Sequence, residues 1–446
     1  MADRRIALAV AVLAVVALTG ALGALATTTP ASPTPPPSER PAATASTEAG
    51  EQPDGGRGFG SLHDRGLTGE NVTVGVVDVT GFDTDRPPLT RSVRAARAFG
   101  TGSVDGGQTG HGTAAATVVA RTAPDATLYL ARVDGIDSYR RAVRWLRRAG
   151  VDVVVAPVSF YGHPGDGTGE AARVAQRATD AGTVFVAPAG NLAASHWRGT
   201  YDAAGTANGT VLFGGEDSES PVRRTAIGGG TDVTVWLSWD RAHADEDYTA
   251  ELYWTNGTAT RLVARSQPYP GDDVPNERIV ADVSPGRYFL VVRGPADPTG
   301  ARLRLVSPTH EFSQARPSGS VVAPGTARGV VTVGAYDTRV ERVEPFSSRG
   351  PTLDGRPGVD VVAPDRRFAG LTENGFVGSS AAAPYVGGVA ALMLDADGSL
   401  SPRHVELLLE LTARDVGPPG VDYASGHGLA DPRGAVGAAE NETAGG

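Results

Sequence analysis

Hydrophobic and polar positions divide the chain into stretches of different rhythm. From Asn71 onward, short apolar runs alternate with amphipathic ones. Residues 72–77, 126–133, 151–156 and 183–187 are apolar runs of strand length. Helices are expected at 111–119, at 139–149 and at 170–181, the second with Ala142, Val143, Leu146 and Ala149 recurring at helical spacing. Buried strands alternating with helices predict an α/β fold, a parallel sheet flanked by helices on both faces. Between Ala203 and Glu311 the period becomes two. Val233, Val235, Leu237 and Trp239 alternate with Thr234, Trp236 and Ser238, and Tyr248, Ala250, Leu252 and Trp254 repeat the pattern. Residues 288–292 and Leu303 with Leu305 follow, separated by turn residues. This predicts an all-β sandwich over 206–312, inserted into the α/β domain and dividing it into 58–205 and 313–437. The α/β rhythm returns at 330–335. An Ala- and Val-rich helix is expected over 380–394, and Ser401-Pro402 opens another through Thr412. Residues 438–446 carry no evident hydrophobic anchor and are expected to be a disordered tail.

The ends add an address. Arg4-Arg5 precede an apolar run from Ile6 to Ala26 that closes on Ala24-Leu25-Ala26, so residues 1–26 read as an export signal. The run is also long enough to serve as a retained membrane anchor. Residues 27–57, rich in Pro, Thr and Ser, form a polar, stiff, disordered linker that cannot build a core. Asn71, Asn208, Asn256 and Asn441 lie in Asn-X-Thr sequons. An extracellular or cell-surface location follows.

Composition narrows the chemistry. The 446 residues contain no cysteine, which excludes disulfides, thiolate metal sites and a cysteine nucleophile. A net charge of −10 argues against nucleic acid as a partner. All 40 basic residues are arginine. An acidic surface without lysine suits a medium of high ionic strength, where self-repulsion is screened, so a halophilic protein is expected.

Four positions carry candidate chemistry. Asp78 closes the first apolar run, at the carboxyl end of a strand where sites form in open α/β sheets. His111 lies between two glycines at the start of a helix. Ser380 opens the Ala/Val helix within Gly378-Ser379-Ser380-Ala381-Ala382-Ala383-Pro384, where free backbone N–H groups favour a developing negative charge. Asn191 follows a buried strand and offers a side-chain amide. A serine hydroxyl needs a base, the base needs an orienting acid, and the resulting oxyanion needs donors; the chain supplies a candidate for each role. Each residue also has an ordinary structural reading, as a turn Asp, a surface His, an N-cap Ser or a turn Asn. The order Asp, His, Ser differs from that of the α/β-hydrolases, and the βα rhythm excludes the all-β frame of chymotrypsin-like enzymes.

The chain resembles the subtilisin family of serine proteases over about 60–200 and 313–437. The resemblance rests on Val77-Asp78, His111-Gly112-Thr113, Ala189-Gly190-Asn191, residues 330–335, Phe346-Ser347-Ser348-Arg349-Gly350-Pro351, residues 378–384 and Ser425-Gly426-His427-Gly428. It implies Asp78, His111 and Ser380 as a triad, Asn191 as oxyanion donor, and peptide-bond hydrolysis through an acyl-enzyme. It also implies an extended polypeptide substrate paired with edge strands, with Val158, Ser159, Phe160, Ala187, Pro188, Ala189 and Gly190 as walls. A monomer is expected. No cofactor is assignable from the residues; calcium is implied only by the resemblance, and Glu216-Asp217 and Asp245-Glu246-Asp247 read as solvated loop charges. The chain departs from the family pattern at Val79, Ala114, Ser379 and Ala381, and these departures motivate the alternative of a catalytically degenerate surface-binding module. An esterase using the same triad differs only in substrate.

Overall fold

The computed structural model describes residues 59–106, 109–214, 222–228, 230–269, 274–366 and 375–445. The expected export segment (1–26), the linker (27–57) and Glu216-Asp217 lie outside the described residues.

After a single turn, α1 (Gly60–His63), the apolar run becomes β1 (Thr73–Asp78). A second short turn, α2 (Leu89–Ser92), leads into β2 (Val93–Ala98). Then α3 (Gly110–Thr122), β3 (Thr127–Arg132), α4 (Ile136–Arg148), β4 (Val153–Val155), α5 (Glu170–Thr179) and β5 (Val184–Pro188) alternate as expected. Strand β2 was not legible in the sequence: it is an edge strand written Val-Arg-Ala-Ala-Arg-Ala, with one half-covered face and no apolar run.

The chain then enters the antiparallel region at β6 (His196–Thr200), before residue 206. There follow β7 (Thr206–Ala207), β8 (Thr210–Val211), β9 (Thr225–Ile227), β10 (Asp232–Trp239), β11 (Thr249–Thr255), β12 (Thr260–Arg265), β13 (Gln267–Pro268), β14 (Asn276–Asp282), β15 (Arg287–Arg293) and β16 (Arg302–Val306). They form two facing sheets, ordered β13-β14-β10-β16-β6 and β12-β11-β15-β8-β7, with β9 also on β15. The alternation read from sequence points inward: Val233, Val235, Leu237, Ala250 and Leu252 are buried together with Leu290, Leu303 and Leu305. Strand β6 belongs here because all five of its residues pair with β16 and Trp197 enters this core, although its sequence, His-Trp-Arg-Gly-Thr, shows no period.

The α/β unit resumes with β17 (Val331–Asp337), β18 (Arg342–Val343), β19 (Val361–Pro364), α6 (Ser379–Ala396), α7 (Pro402–Thr412) and α8 (Pro432–Gly445). The large sheet runs β18-β17-β5-β4-β1-β3-β2, with β19 also on β17; every pairing except β17 with β18 is parallel. Each face has its own core. Val74, Val76, Leu128, Val153 and Val186 pack with α3 and α6, whereas Val77, Val154 and Phe185 pack with α4 and α5 through Tyr139, Leu146 and Val174. This is the double covering that continuous apolar strands require. Residues 438–445, expected as a tail, instead continue α8. Ala435, Val436 and Ala439 form a narrow apolar stripe buried against the core on the α6 side of the sheet, and Arg65 pairs with Glu440.

Candidate active site

Asp78 ends β1, a central strand flanked by β3 and β4, so its carboxylate emerges at the carboxyl edge of the sheet while remaining fully buried. Oδ2 lies 2.6 Å from His111 Nδ1. Oδ1 accepts two hydrogen bonds of 2.8 Å from Thr80, one from its N–H and one from its hydroxyl. The same hydroxyl accepts from Gly112 N–H at 2.9 Å. Thr80 thereby ties the strand end to the first turn of α3, the turn that carries His111. Sequence reading noted the intervening Val79 and missed this role; the signal was a hydroxyl two residues beyond the Asp, a common local cap for a carboxylate. Gly112 is needed for the approach. A Cβ there would lie 2.3 Å from the Gly81 carbonyl and about van der Waals contact or closer to Asp78.

Burial disfavours charge on the His111 ring, but the Asp78 charge and hydrogen bond together outweigh it and hold the imidazole pKa above its ordinary 6.5. With Nδ1 bound to a carboxylate, the ring is oriented with Nε2 as its remaining proton-transfer atom. Phe376 packs edge-on against the ring, centroids 5.2 Å apart, and lies four residues before Ser380. This contact joins the turn leading to α6 to the His-bearing helix.

At α6 the helix is capped by Gly378, with φ of 106°, so Ser379 and Ser380 are its first two residues. The two serines differ in environment. Ser379 is fully buried: its hydroxyl donates to Asn191 Oδ1 at 3.0 Å and accepts from Gly190 N–H at 3.1 Å. Asn191 Oδ1 also accepts from Ser379 N–H at 3.0 Å. Two donors on Oδ1 fix the amide so that Nδ2 is turned the other way, toward Gly378, where an added Cβ would meet it at 2.6 Å. Ser380 is half-buried on the same first turn. A plain N-cap role therefore falls to neither serine, and Ser379 is the one engaged in structure. Gly378 N–H donates to Asp365 Oδ2 at 3.1 Å; burial, with the nearby Glu344 charge, pushes Asp365 up to about 7.

The expected walls divide. Ala187, Pro188, Ala189 and Gly190 are buried. Strand β5, to which the first two belong, is central in the sheet, so this stretch cannot act as a free edge. Ala189 N–H donates to Val333 O and its carbonyl accepts from Val322, while the Gly190 carbonyl accepts from Ser348. The N–H and carbonyl of Ala189 and the carbonyl of Gly190 are thus already engaged within the fold. Val158 is buried, whereas Ser159 and Phe160 are half-buried, and Phe160 N–H donates to Ala323 O at 2.9 Å. The Phe160 ring rests on Tyr139 and His163.

Among the described residues, three carboxylates converge away from these groups: Asp360, Glu406 and Glu410. Two of them already have protein partners. Asp360 Oδ2 accepts from Thr332 N–H at 2.7 Å and Arg403 pairs with Glu406 at 2.9 Å. Burial pushes Asp360 up to about 8. The three carboxylates are oxygen donors, the type that calcium takes, and the Glu406 and Glu410 charges add to the burial that raises Asp360.

The model of the subtilase family (Peptidase S8) matches residues 69–267 and 306–428, and the chain belongs to that family. Serine protease AprX of Bacillus subtilis is 32% identical over 117 residues, covering 21% of this chain and 26% of that protein. A subtilisin-like protease of Coccidioides posadasii is 37% identical over 103 residues, covering 22% and 24%. The chain spans about a quarter of the length of these curated relatives. The CspB protease of Clostridium perfringens has the same fold, with a TM-score of 0.61 at 17% identity over 86% of this chain and 96% of that one. Among the described residues, no helix is long and apolar enough to cross a membrane.

Proposed function

We propose that the chain is an exported serine endopeptidase acting on polypeptides. The observation that carries this reading is the 2.6 Å contact of buried Asp78 with His111 Nδ1 in a chain of the subtilase family. In this reading His111 Nε2 takes the Ser380 proton as Ser380 Oγ attacks the scissile carbonyl. The oxyanion is held by Asn191 Nδ2 and the Ser380 N–H at the start of α6. Collapse breaks the C–N bond, and the proton passes from His111 to the leaving amine. Water, deprotonated by His111, then releases the acyl group. The reading includes export by residues 1–26, an inserted sandwich, a monomeric enzyme, and a salt-adapted acidic surface.

Ser380→Ala is expected to abolish covalent labelling by a fluorophosphonate and casein hydrolysis, a fall on the order of 10⁴-fold or more, with the melting temperature retained. Ser379→Ala is expected to retain labelling at a reduced rate, since it disturbs the Asn191 amide but leaves the nucleophile. Undiminished hydrolysis by Ser380→Ala, or a wild type that takes no label and cleaves nothing, would overturn the reading in favour of a binding module.

A further inference from the structure

Three strands of the sandwich converge on one short loop of the α/β unit. The loop, residues 161–163, continues the half-buried Ser159-Phe160 stretch that follows β4. From β16, Arg304 is 5% exposed and its guanidinium donates to four carbonyls. One nitrogen reaches His163 O at 3.2 Å and, more loosely, Tyr161 O at 3.5 Å. The other reaches Val321 O at 3.2 Å and Ser320 O at 3.5 Å. From β10, Trp236 closes on Gly162, where an added Cβ would lie 2.7 Å from the indole. From β14, Asn276 Nδ2 donates to Gly162 O at 3.4 Å. Tyr161 and Trp236 pack around Leu192, Val306 and Val322, and Leu192 follows Asn191 directly.

Arg304 is unusual for a buried cation. Among the described residues, the acceptors of its hydrogen bonds are all carbonyls, and burial, with Arg198 nearby, pulls it down to about 10. A buried charge costs several kcal/mol unless donors and acceptors compensate it; here the two terminal nitrogens carry that compensation, while Nε has no hydrogen-bond partner among the described residues, so the carbonyl cluster and the terminal guanidinium nitrogens hold each other in place. The two carbonyl pairs come from two separate segments, 161–163 and 320–321. Those segments are also bridged by the bond from Phe160 N–H to Ala323 O. Arg304 thus clamps together the two segments that carry Phe160 and its partner.

We propose that the sandwich is a built-in part of the substrate cleft, and that Arg304 is a positioning residue setting the wall that an extended peptide meets beyond the scissile bond. This rests on the serine-endopeptidase reading above. It places the specificity of the enzyme partly in the inserted region: Arg304 acts on the peptide through the 158–163 stretch, not by touching the reacting atoms.

The test compares wild type, Arg304→Gln, Arg304→Lys and the milder Trp236→Phe on three readouts. These are the labelling rate by a small alkyl fluorophosphonate, kinetics on a short acyl ester and on an extended peptide amide, and hydrogen exchange of amides 158–163. Arg304→Gln is expected to raise KM for the extended peptide about tenfold or more, to leave labelling and ester turnover within about twofold, and to speed exchange at 158–163. Arg304→Lys should recover part of the KM, because an ammonium still donates to carbonyls but cannot span both pairs. Equal losses on ester, label and peptide would overturn the proposal, reducing Arg304 to general stability; so would unchanged KM and exchange. If Arg304→Gln fails to fold, Trp236→Phe decides: a KM shift on the extended peptide alone supports the proposal and its absence overturns it. A wild type inert in all activity readouts would overturn the hydrolase reading itself, and this inference with it, and is told apart by the missing label.

Discussion

The two regions of the molecule place their polar groups differently. In the α/β unit, strands are buried on both faces by small and branched side chains, and the groups capable of chemistry gather at strand ends and helix starts. Asp78 ends β1, His111 and Ser380 open helices, and Asn191 follows β5. In the sandwich, one face of each sheet is apolar and the other carries charged side chains. Glu251 is the clearest case: it is buried on β11, yet pairs with Arg265 on β12 at 3.0 Å and Arg293 on β15 at 2.6 Å. The first arrangement gathers the candidate site at one edge of the sheet; the second leaves a charged outer face able to dock. Arg304 is where they meet, a charged outward residue of the sandwich buried by the α/β unit.

The largest expected effect breaks the idea that the regions are separable. Removing residues 206–312 leaves β6 without β16 and uncovers Trp197 and Tyr201, both buried. Each large apolar side chain exposed costs about 1.5–3 kcal/mol, and the Arg304 clamp is lost as well. The expected product is aggregated or protease-sensitive; a folded, active deletion measured by circular dichroism and fluorophosphonate labelling would show that the sandwich is a detachable module.

Thr80→Val tests the reactive edge by itself. It removes the hydroxyl between Asp78 and Gly112 at nearly constant volume. A fall in kcat/KM of about 10–100-fold is expected, comparable to a lost hydrogen bond at 1.4–2.7 kcal/mol, with the sandwich undisturbed. A rate within twofold of wild type would mean that the Asp78 carboxylate is positioned without Thr80.

Glu251→Gln is the complementary change in the sandwich. It leaves Arg265 and Arg293, both about half exposed, without their carboxylate, and a loss of about 1–2 kcal/mol in urea melts is expected, held down by solvent screening of the arginines. Fluorophosphonate labelling, expected on Ser380 under the proposed reading, should not change; a fall in labelling would show that strain at β11 reaches the site.

The pH profile is the most local test. Because Asp78 raises His111, kcat/KM should fall on the acid side through a pKa above 6.5. The imidazolium–carboxylate pair contributes stability that is fully present below the unfolded value of 6.5 and is lost as pH rises through the raised folded value. Asp78→Asn should move the acid limb downward while lowering the rate. An unmoved limb would assign the titration to another group, for which Asp365 at about 7 is the nearby candidate.

Much of this architecture was legible along the chain because its causes are local. Apolar runs buried on both faces mark a central parallel sheet, as at 72–77 and 183–187, and period two marks the sandwich strands β10 and β11. The candidate residues Asp78, His111 and Ser380 stood out because they lie where elements begin or end, within motifs that resemble those of the subtilisin family. What remained hidden has neighbours far away in sequence. Strand β2 has no apolar run because it is an edge; β6 has no period because its place is set by pairing with β16, about a hundred residues on. Ser380 was named from the sequence, but the hold of Asn191 on the neighbouring Ser379 hydroxyl is visible only in the folded chain. Thr80 carried no reading from the sequence, because its bond to Gly112 exists only once the strand end and the helix start meet. Arg304 was not singled out in the sequence, and its meaning is wholly tertiary: four carbonyls from two remote segments make it a clamp. The sequence by itself determined the layers and the chemical inventory, because hydrophobic period and strand-end placement are short-range properties. The tertiary structure decided orientation and division of labour, because hydrogen bonds between remote segments exist only after the chain has folded.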